Sequence, residues 1–208
     1  MLQRVVDALH RRKVFRRARK SNELRALGVL LYYLGLSVWK AEAVLREFGG
    51  ASHEAVRRWH HRCRGLFDPP ARERRTIAVD ETKVRIAGRE WYLWVAVDVD
   101  RPEVLAAWIT PARSSFEALQ FLRAAMRRCT NRPVVLVDRG PWYRWGLDRL
   151  GLPWRHETFG ERSSVERWFG VFKQRAKLFW KRWPHNAGPE DANSWCLAFA
   201  ALYNLWEG

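Results

Sequence analysis

Two short segments decide the fold of this chain: Thr76-Ile77-Ala78-Val79-Asp80 and Val134-Val135-Leu136-Val137-Asp138. Each is an apolar run that ends in an aspartate, as expected of a buried strand that brings a carboxylate to the edge of a sheet. A third acidic residue, Glu166, follows Ser163-Ser164-Val165 at the start of a basic, amphipathic helix. Two aspartates and one glutamate placed in this way are typical of metal-dependent chemistry on phosphodiesters.

The rest of the carboxyl-terminal part alternates between strand and helix patterns. Further strands are predicted at 83–86, 91–99, 104–109 and 152–158, and helices at 114–128, 141–150, 164–181 and 189–206. This order predicts an α/β fold with a mixed sheet, of the ribonuclease H-like type. The first and fourth strands of such a sheet are neighbours, so Asp80 and Asp138 are expected side by side.

The amino-terminal part has a helical pattern throughout. Helices are predicted at 21–33, 37–48 and 53–64, with serine N-caps and a break at Gly49-Gly50. Two helices joined by a short, glycine-containing turn are the outline of a helix-turn-helix, whose last helix would bring Arg57, Arg58 and Arg62 to DNA. A small helical bundle with solvated basic residues is the alternative. Residues 1–20 are predicted as a mobile basic arm, or as a helix that orders on phosphates.

A proline- and charge-rich stretch at 68–75 separates the two patterns and is predicted as a linker. The domain prediction is therefore a helix-turn-helix domain at 1–67, the linker, and a catalytic domain at 76–208. The formal net charge of +16 suggests a polyanionic partner, and residues 1–75 carry 18 Lys and Arg against 7 Asp and Glu. Ribosomal or other scaffolding RNA is an alternative partner on charge alone.

Neither a membrane span nor a secretory pattern is visible in the sequence, which predicts a cytoplasmic, nucleoid-associated protein. The three cysteines, Cys63, Cys129 and Cys196, are far apart and are expected to be reduced thiols rather than disulfides or zinc ligands.

The acidic trio predicts a site for two Mg²⁺ (or Mn²⁺) ions, because hard carboxylate oxygens suit these cations. Each acid also has a simpler explanation: an aspartate at a strand end often forms a turn, and Ser163 with Glu166 fits a capping box. Asp98 and Asp100 are expected at a turn, and Glu81 on the strand face opposite Asp80. Lys173 and Lys177 follow Glu166 on nearly the same helix face, as phosphate ligands or as a solvated face.

Three stretches carry a family resemblance: Val79-Asp80-Glu81-Thr82 with 91–98, Leu136-Val137-Asp138 with Pro141-Trp142, and 155–160 running into Val165-Glu166-Arg167-Trp168-Phe169 and Lys173. Together they resemble the DDE transposases of the insertion sequence 6 family, nearest to its archaeal-type members, over about residues 20–206. The spacing of 28 residues from Asp138 to Glu166 resembles that branch.

The resemblance implies that Asp80, Asp138 and Glu166 are the catalytic carboxylates, and that Lys173 is the basic residue that often follows the glutamate. It also implies a helix-turn-helix that binds terminal inverted repeats in double-stranded DNA. Two-metal cleavage and strand transfer into target DNA would follow. Since two DNA ends must be joined, a homodimer or larger synaptic complex is expected.

Two other functions remain open at this point. One is a metal-dependent nuclease of the same fold, and the other is a non-enzymatic helix-turn-helix regulator on a degenerate ribonuclease H-like domain. A serine or tyrosine recombinase is disfavoured, because Ser163, Ser164 and Tyr143 lack a surrounding arginine-rich constellation.

Overall fold

The computed structural model describes residues 1–16, 19–157, 160, 163–176 and 187–207. The chain forms two compact units, one of Met1–Asp68 with Ser194–Trp206 and one of Pro69–Asn193 with the last residues. The division lies next to the stretch predicted as a linker. The assignment of a separate function to each unit stays a prediction.

The first unit is helical. Its elements are α1 (Leu2–Arg11), α2 (Asn22–Tyr33), α3 (Val38–Leu45) and α4 (His53–Arg62), with 3-10 turns at Arg46–Phe48 and Cys63–Leu66. The hydroxyls of Ser21, Ser37 and Ser52 accept the N–H groups of Leu24, Lys40 and Ala55 at 3.2, 3.2 and 3.3 Å. These N-caps start α2, α3 and α4 at or within two residues of the predicted positions, because capping depends on local sequence.

Helix α1 corrects the prediction of a mobile basic arm in the first residues. Val5, Val6, Ala8 and Leu9 are buried along one side of this helix, which packs against α2. The apolar residues have helical spacing and bury their surface in the unit, so the helix needs no phosphate to order it. His10 and Arg11 in its last turn are favourably placed for the helix dipole.

The second unit contains a five-stranded sheet. Its strands are β1 (Thr76–Ile86), β2 (Arg89–Asp98), β3 (Val104–Thr110), β4 (Val134–Val137) and β5 (Trp154–His156). The segments predicted as two strands at 76–80 and 83–86 form the single strand β1, since no turn residue separates them and Glu81 and Thr82 pair with Trp94 and Leu93 of β2. Thr158, the predicted end of the last strand, lies outside the described residues.

The strand order is β3-β2-β1-β4-β5, with β1, β2 and β3 antiparallel and β4 and β5 parallel to β1. This mixed sheet, flanked by helices, confirms the predicted ribonuclease H-like α/β fold. The predicted neighbourhood of the first and fourth strands is also confirmed.

Three helices accompany the sheet in chain order: α5 (Ser115–Met126), α6 (Pro141–Leu150) and α7 (Ser163–Arg175). The last helix, α8 (Pro189–Glu207), contributes Ser194–Trp206 to the first unit. Ile77, Val79, Val135 and Val137 form one core cluster with residues of α5 and α6. Because side chains alternate along a strand, Ala78, Asp80 and Leu136 belong to the other face. The part of α7 that the structure describes packs against β1 and β2.

A buried arginine ties the stretch before β1 to the end of β2. Arg74, whose side chain is 0% exposed, forms ion pairs with Asp98 and, at 2.9 Å, with Glu103. Its guanidinium also donates to the carbonyls of Arg128 and Pro70, both at 3.0 Å. Asp98 is therefore a buried structural acid at the end of β2, and its Oδ1 also accepts the N–H groups of Asp100 and Arg101 at 2.9 and 3.2 Å in the predicted turn.

All three cysteines are free thiols, as predicted. None of the described helices is long and apolar enough to cross a membrane.

Candidate active site

Two aspartates follow neighbouring parallel strands at equal spacing from a paired position. Ala78 of β1 pairs with Leu136 of β4 at the end of their shared register, and Asp80 and Asp138 follow these partners by two residues each. Asp80 lies within β1, whereas Asp138 comes directly after β4. Because neighbouring strands lie about 4.8 Å apart, this spacing places the two residues near each other. Both are half-buried.

Backbone N–H groups orient the two carboxylates. Gly140 donates to Oδ1 of Asp138 at 2.8 Å, and Glu81 donates to Oδ1 of Asp80 at 2.9 Å. A Cβ on Gly140 would come within 2.5 Å of the Trp142 ring. Glycine is therefore required between Asp138 and the start of α6.

Glu166, the third predicted carboxylate, lies in the first turn of α7 and is exposed. Its helix packs against β1, the strand that carries Asp80, through an apolar side that includes Val165 and Trp168. Within the described residues this helix extends from Ser163 to Arg175, and the predicted end near 181 lies outside them. A carboxylate in a first helical turn is stabilised by the helix dipole.

Within the described residues, no group of three or more His, Cys, Asp and Glu side chains is arranged as a metal site. The structure therefore pairs Asp80 with Asp138 but does not gather Glu166 into one cluster with them. The catalytic and metal-binding roles of all three stay predictions.

A fourth acid, Glu81, is buried beside this pair. Its side chain is 3% exposed, accepts a hydrogen bond from the hydroxyl of Tyr143 and lies 3.2 Å from Nη1 of Arg113. Burial raises the pKa of Glu81, the bond from Tyr143 opposes this shift, and the negative charge of Asp138 adds to it. Burial, with smaller contributions from Glu81, Asp80 and Asp138, raises the pKa of Tyr143 well above its ordinary value.

The contacts of Glu81 with Tyr143 and Arg113 therefore connect the middle of β1 to the start of α6 and to the segment just before α5. The sequence placed Glu81 on the face opposite Asp80, which its contact with Tyr143 of the α5–α6 core supports. The pairing of Glu81 with Tyr143 was not predicted from the sequence. The two residues are 62 positions apart, so no local pattern could reveal it.

An aromatic wall holds Arg113 in place. Its guanidinium carbon lies 3.9 Å from the Trp142 ring centroid and 5.3 Å from that of Tyr92. The indole N–H of Trp142 is buried and has no hydrogen-bond partner in the described part of the chain. Arg113 is thus fixed between aromatic rings and the Glu81 carboxylate.

The predicted DNA-binding residues lie on α4 and α7. Arg57 donates two 2.8 Å hydrogen bonds to Glu54, and Arg58 is 3.6 Å from the same carboxylate. The guanidinium of Arg62 lies 5.7 Å from the Phe15 ring centroid. Lys173 is half-buried, with its amine 5.8 Å from the centroid of Phe169, and Lys177 lies outside the described residues. A role of these side chains in DNA binding stays a prediction.

Comparison with known proteins gives a family match and two relatives. A family model of the DDE domain matches residues 74–178. An uncharacterized protein of Methanocaldococcus jannaschii is 39% identical over 201 residues, which are 96% of this chain and 94% of that protein. An uncharacterized protein of Aquifex aeolicus is 40% identical over 113 residues, which are 54% of this chain and 86% of that protein.

Two solved structures show a weaker similarity. The catalytic core domain of BIV integrase has a TM-score of 0.46 at 18% identity, covering 61% of this chain and 82% of that chain. The catalytic core domain of HTLV-2 integrase in complex with magnesium has a TM-score of 0.41 at 12% identity, covering 62% and 85%. TM-scores below 0.5 do not support an argument about this chain, and the strand order defines its fold.

Proposed function

The chain belongs to the DDE-domain family of insertion sequence 6-type transposases, and from this we propose that it catalyses metal-dependent cleavage and strand transfer of DNA. Asp80, Asp138 and Glu166 are the proposed catalytic carboxylates. The proposed substrates are double-stranded element ends, bound at their terminal inverted repeats, and target DNA. A homodimer or larger synaptic complex is proposed because two ends must be joined.

The observation that supports this proposal is the register of β1 and β4, which places Asp80 and Asp138 two residues after the paired Ala78 and Leu136. Both residues are half-buried, and each carboxylate accepts a backbone N–H. Carboxylate oxygens are the donors that Mg²⁺ and Mn²⁺ prefer, so this donor set fits a divalent cation. Two such ions are proposed, by family membership.

We assign the parts of the reaction to residues as follows. Asp80, Asp138 and Glu166 would hold the cations, which supply charge neutralisation and an activated oxygen nucleophile at the phosphate. Glu81, Tyr143 and Arg113 would keep the middle of β1 and the start of α6 in a fixed arrangement. Lys173, and in sequence Lys177, would bind DNA phosphates next to Glu166.

The alternative function is a non-enzymatic helix-turn-helix DNA-binding protein on a degenerate ribonuclease H-like domain. A nuclease of the same fold is a third candidate. Joined strands would identify a transposase, nicked products alone a nuclease, and binding without cleavage a regulator.

The proposal is tested by substituting each carboxylate in turn. We expect Asp80→Asn, Asp138→Asn and Glu166→Gln each to reduce Mg²⁺-dependent strand transfer by at least about 10²-fold, as for loss of a preorganised electrostatic group. Binding to element ends, measured by fluorescence anisotropy, should be retained. Asp148→Asn is the matched control, because Asp148 is an exposed acid on α6 with an ion pair at 3.9 Å to Arg144. Strand transfer at the control's rate by any of the three variants would count against the assignment of that residue.

A further inference from the structure

A cavity of about 400 Å³ opens in the helical unit, away from the acidic residues described above. Its lining comes from the end of α1, the segment after it and the start of α2: Leu9, His10, Lys13, Phe15, Arg16 and Asn22. Three of these side chains are basic, and the described lining contains no acid. Its volume lies in the range of small-ligand sites.

A buried arginine lies against the wall of this cavity. Arg25 is 5% exposed, and its guanidinium carbon is 4.4 Å from the ring centroid of Phe15. Its Nη1 donates to Oδ1 of Asn22 at 2.9 Å. Phe15 and Asn22 both line the cavity, so the guanidinium lies directly behind two of its walls.

The charge of Arg25 is not balanced within the described part of the chain. No carboxylate contacts its guanidinium there, and its buried Nε has no hydrogen-bond partner. Burial lowers the pKa of Arg25, and the positive charge of Arg62 lowers it further. A buried cation without a counter-ion is destabilising, and an arginine does not relieve this by losing its proton.

An exposed acid, Glu23 in the first turn of α2, is near this cavity. Hydrogen bonds from its own backbone N–H and from Ser21 lower the pKa of Glu23, with a smaller contribution from His10 of the cavity lining. Arg62 places a second guanidinium 5.7 Å from the same Phe15 ring. Cationic groups therefore predominate around the cavity, with an aromatic face among them.

We propose that this cavity binds a nucleotide phosphate, with Lys13 and Arg16 of its lining as cationic ligands, Phe15 as the apolar surface beside them, and Arg25 as an unbalanced positive charge behind its wall. Arginine and lysine are the usual phosphate ligands, and an aromatic ring accommodates a sugar or base next to the phosphate. The phosphate belongs either to a DNA backbone or to a free mononucleotide. This site does not depend on the chemistry proposed for Asp80 and Asp138.

The experiment uses the full-length protein in EDTA, so that no metal-dependent step takes part. Inorganic phosphate and a 5′-mononucleotide are titrated by calorimetry, and labelled duplex DNA by fluorescence anisotropy at several salt concentrations. The variants are Arg25→Met, Lys13→Gln and Arg16→Gln. Arg11→Gln is the matched control, because it removes the same charge from an exposed position on α1 that does not line the cavity.

We expect each cavity variant to weaken binding of one phosphate source about tenfold, the effect of one charged hydrogen bond, and the control to change it less than twofold. If the source is DNA, duplex affinity falls and the slope of log affinity against log salt becomes shallower by about 0.9 per lost phosphate contact. If the source is a mononucleotide, its binding is lost while duplex binding persists.

Equal behaviour of all three cavity variants and Arg11→Gln towards phosphate, mononucleotide and DNA would overturn the proposal. Lys13→Gln and Arg16→Gln change exposed side chains, so the test stands even if Arg25→Met fails to fold. Strand transfer measured in parallel separates this outcome from failure of the proposed enzymatic function.

Discussion

Arg74 in the sheet unit and Arg25 in the helical unit are both buried arginines with opposite surroundings. Arg74 has two carboxylate partners and donates to two backbone carbonyls. Arg25 has one amide oxygen, an aromatic ring and another arginine nearby. A buried charge that the fold itself balances contributes to structure, whereas one left unbalanced indicates a place for a ligand of opposite sign.

The largest expected effect is on the free energy of unfolding when each of these two arginines is replaced. Arg74→Met leaves the buried Asp98 without its cation, while Glu103 keeps Arg72 at 2.9 Å, and we expect it to lower the free energy of unfolding by about 3–5 kcal/mol. Arg25→Met leaves no acid unpaired and removes an unbalanced buried charge, so we expect no loss of unfolding free energy and a gain in phosphate-free buffer. Urea denaturation monitored by circular dichroism measures both values.

The control for Arg74 is Arg75→Met, which removes an exposed ion pair with Asp100 and should cost less than about 1 kcal/mol. If Arg25→Met lowers the unfolding free energy in phosphate-free buffer as much as Arg74→Met does, the proposed difference between the two arginines is wrong.

A medium effect is expected at the buried Tyr143–Glu81 pair. Tyr143→Phe removes the hydroxyl donor from a carboxylate that is 3% exposed, and we expect a loss of about 1–3 kcal/mol in unfolding free energy. Tyr92→Phe is the matched control, since the hydroxyl of Tyr92 donates to the exposed carboxylate of Glu90. Equal losses for the two variants would show that burial does not govern the strength of these pairs.

The smallest effect is expected at Lys13, which has a left-handed backbone with φ of 48° at the end of α1. Glycine is the usual residue there, because the hydrogen bonds from Lys13 and Val14 to His10 and Leu9 form a Schellman motif. We expect Lys13→Gly to raise stability by up to about 1 kcal/mol, measured by urea denaturation, while weakening phosphate binding.

Ala87→Gly is the control for this substitution, since Ala87 has the same φ of 48° in the β1–β2 turn. It should give the same gain in stability with no change in phosphate binding. A loss of stability in Lys13→Gly would contradict the strain argument.

The sequence predicted well those features that depend on neighbouring residues. The apolar runs before Asp80 and Asp138 identified two strands, and the order of elements predicted that these strands are adjacent. The serine caps fixed the starts of three helices. Each of these signals is contained within a few residues, where backbone propensity and capping act.

Features that depend on distant contacts were missed. The charged stretch before β1 was predicted as a linker, whereas Arg74 within it is buried by Asp98 and Glu103. The many basic residues of the first segment led to the prediction of a basic arm, whereas Val5 and Leu9 are buried on the apolar side of α1. Tertiary packing determines these features, and a single sequence does not show which distant residues come into contact.

Helix α8 supplies Ser194–Trp206 to a unit whose other residues all precede Pro69. Trp195 stacks on Phe199 at 5.4 Å, and Phe199 lies 5.2 Å from Tyr33 of α2. During translation, the first helices of this unit are therefore made before the sheet, but the unit is completed only when α8 has been made, after all five strands. A gene truncated at residue 68 would encode helices that lack part of their own hydrophobic core. Expressing residues 1–68 and 69–208 separately is therefore not expected to give two well-folded fragments.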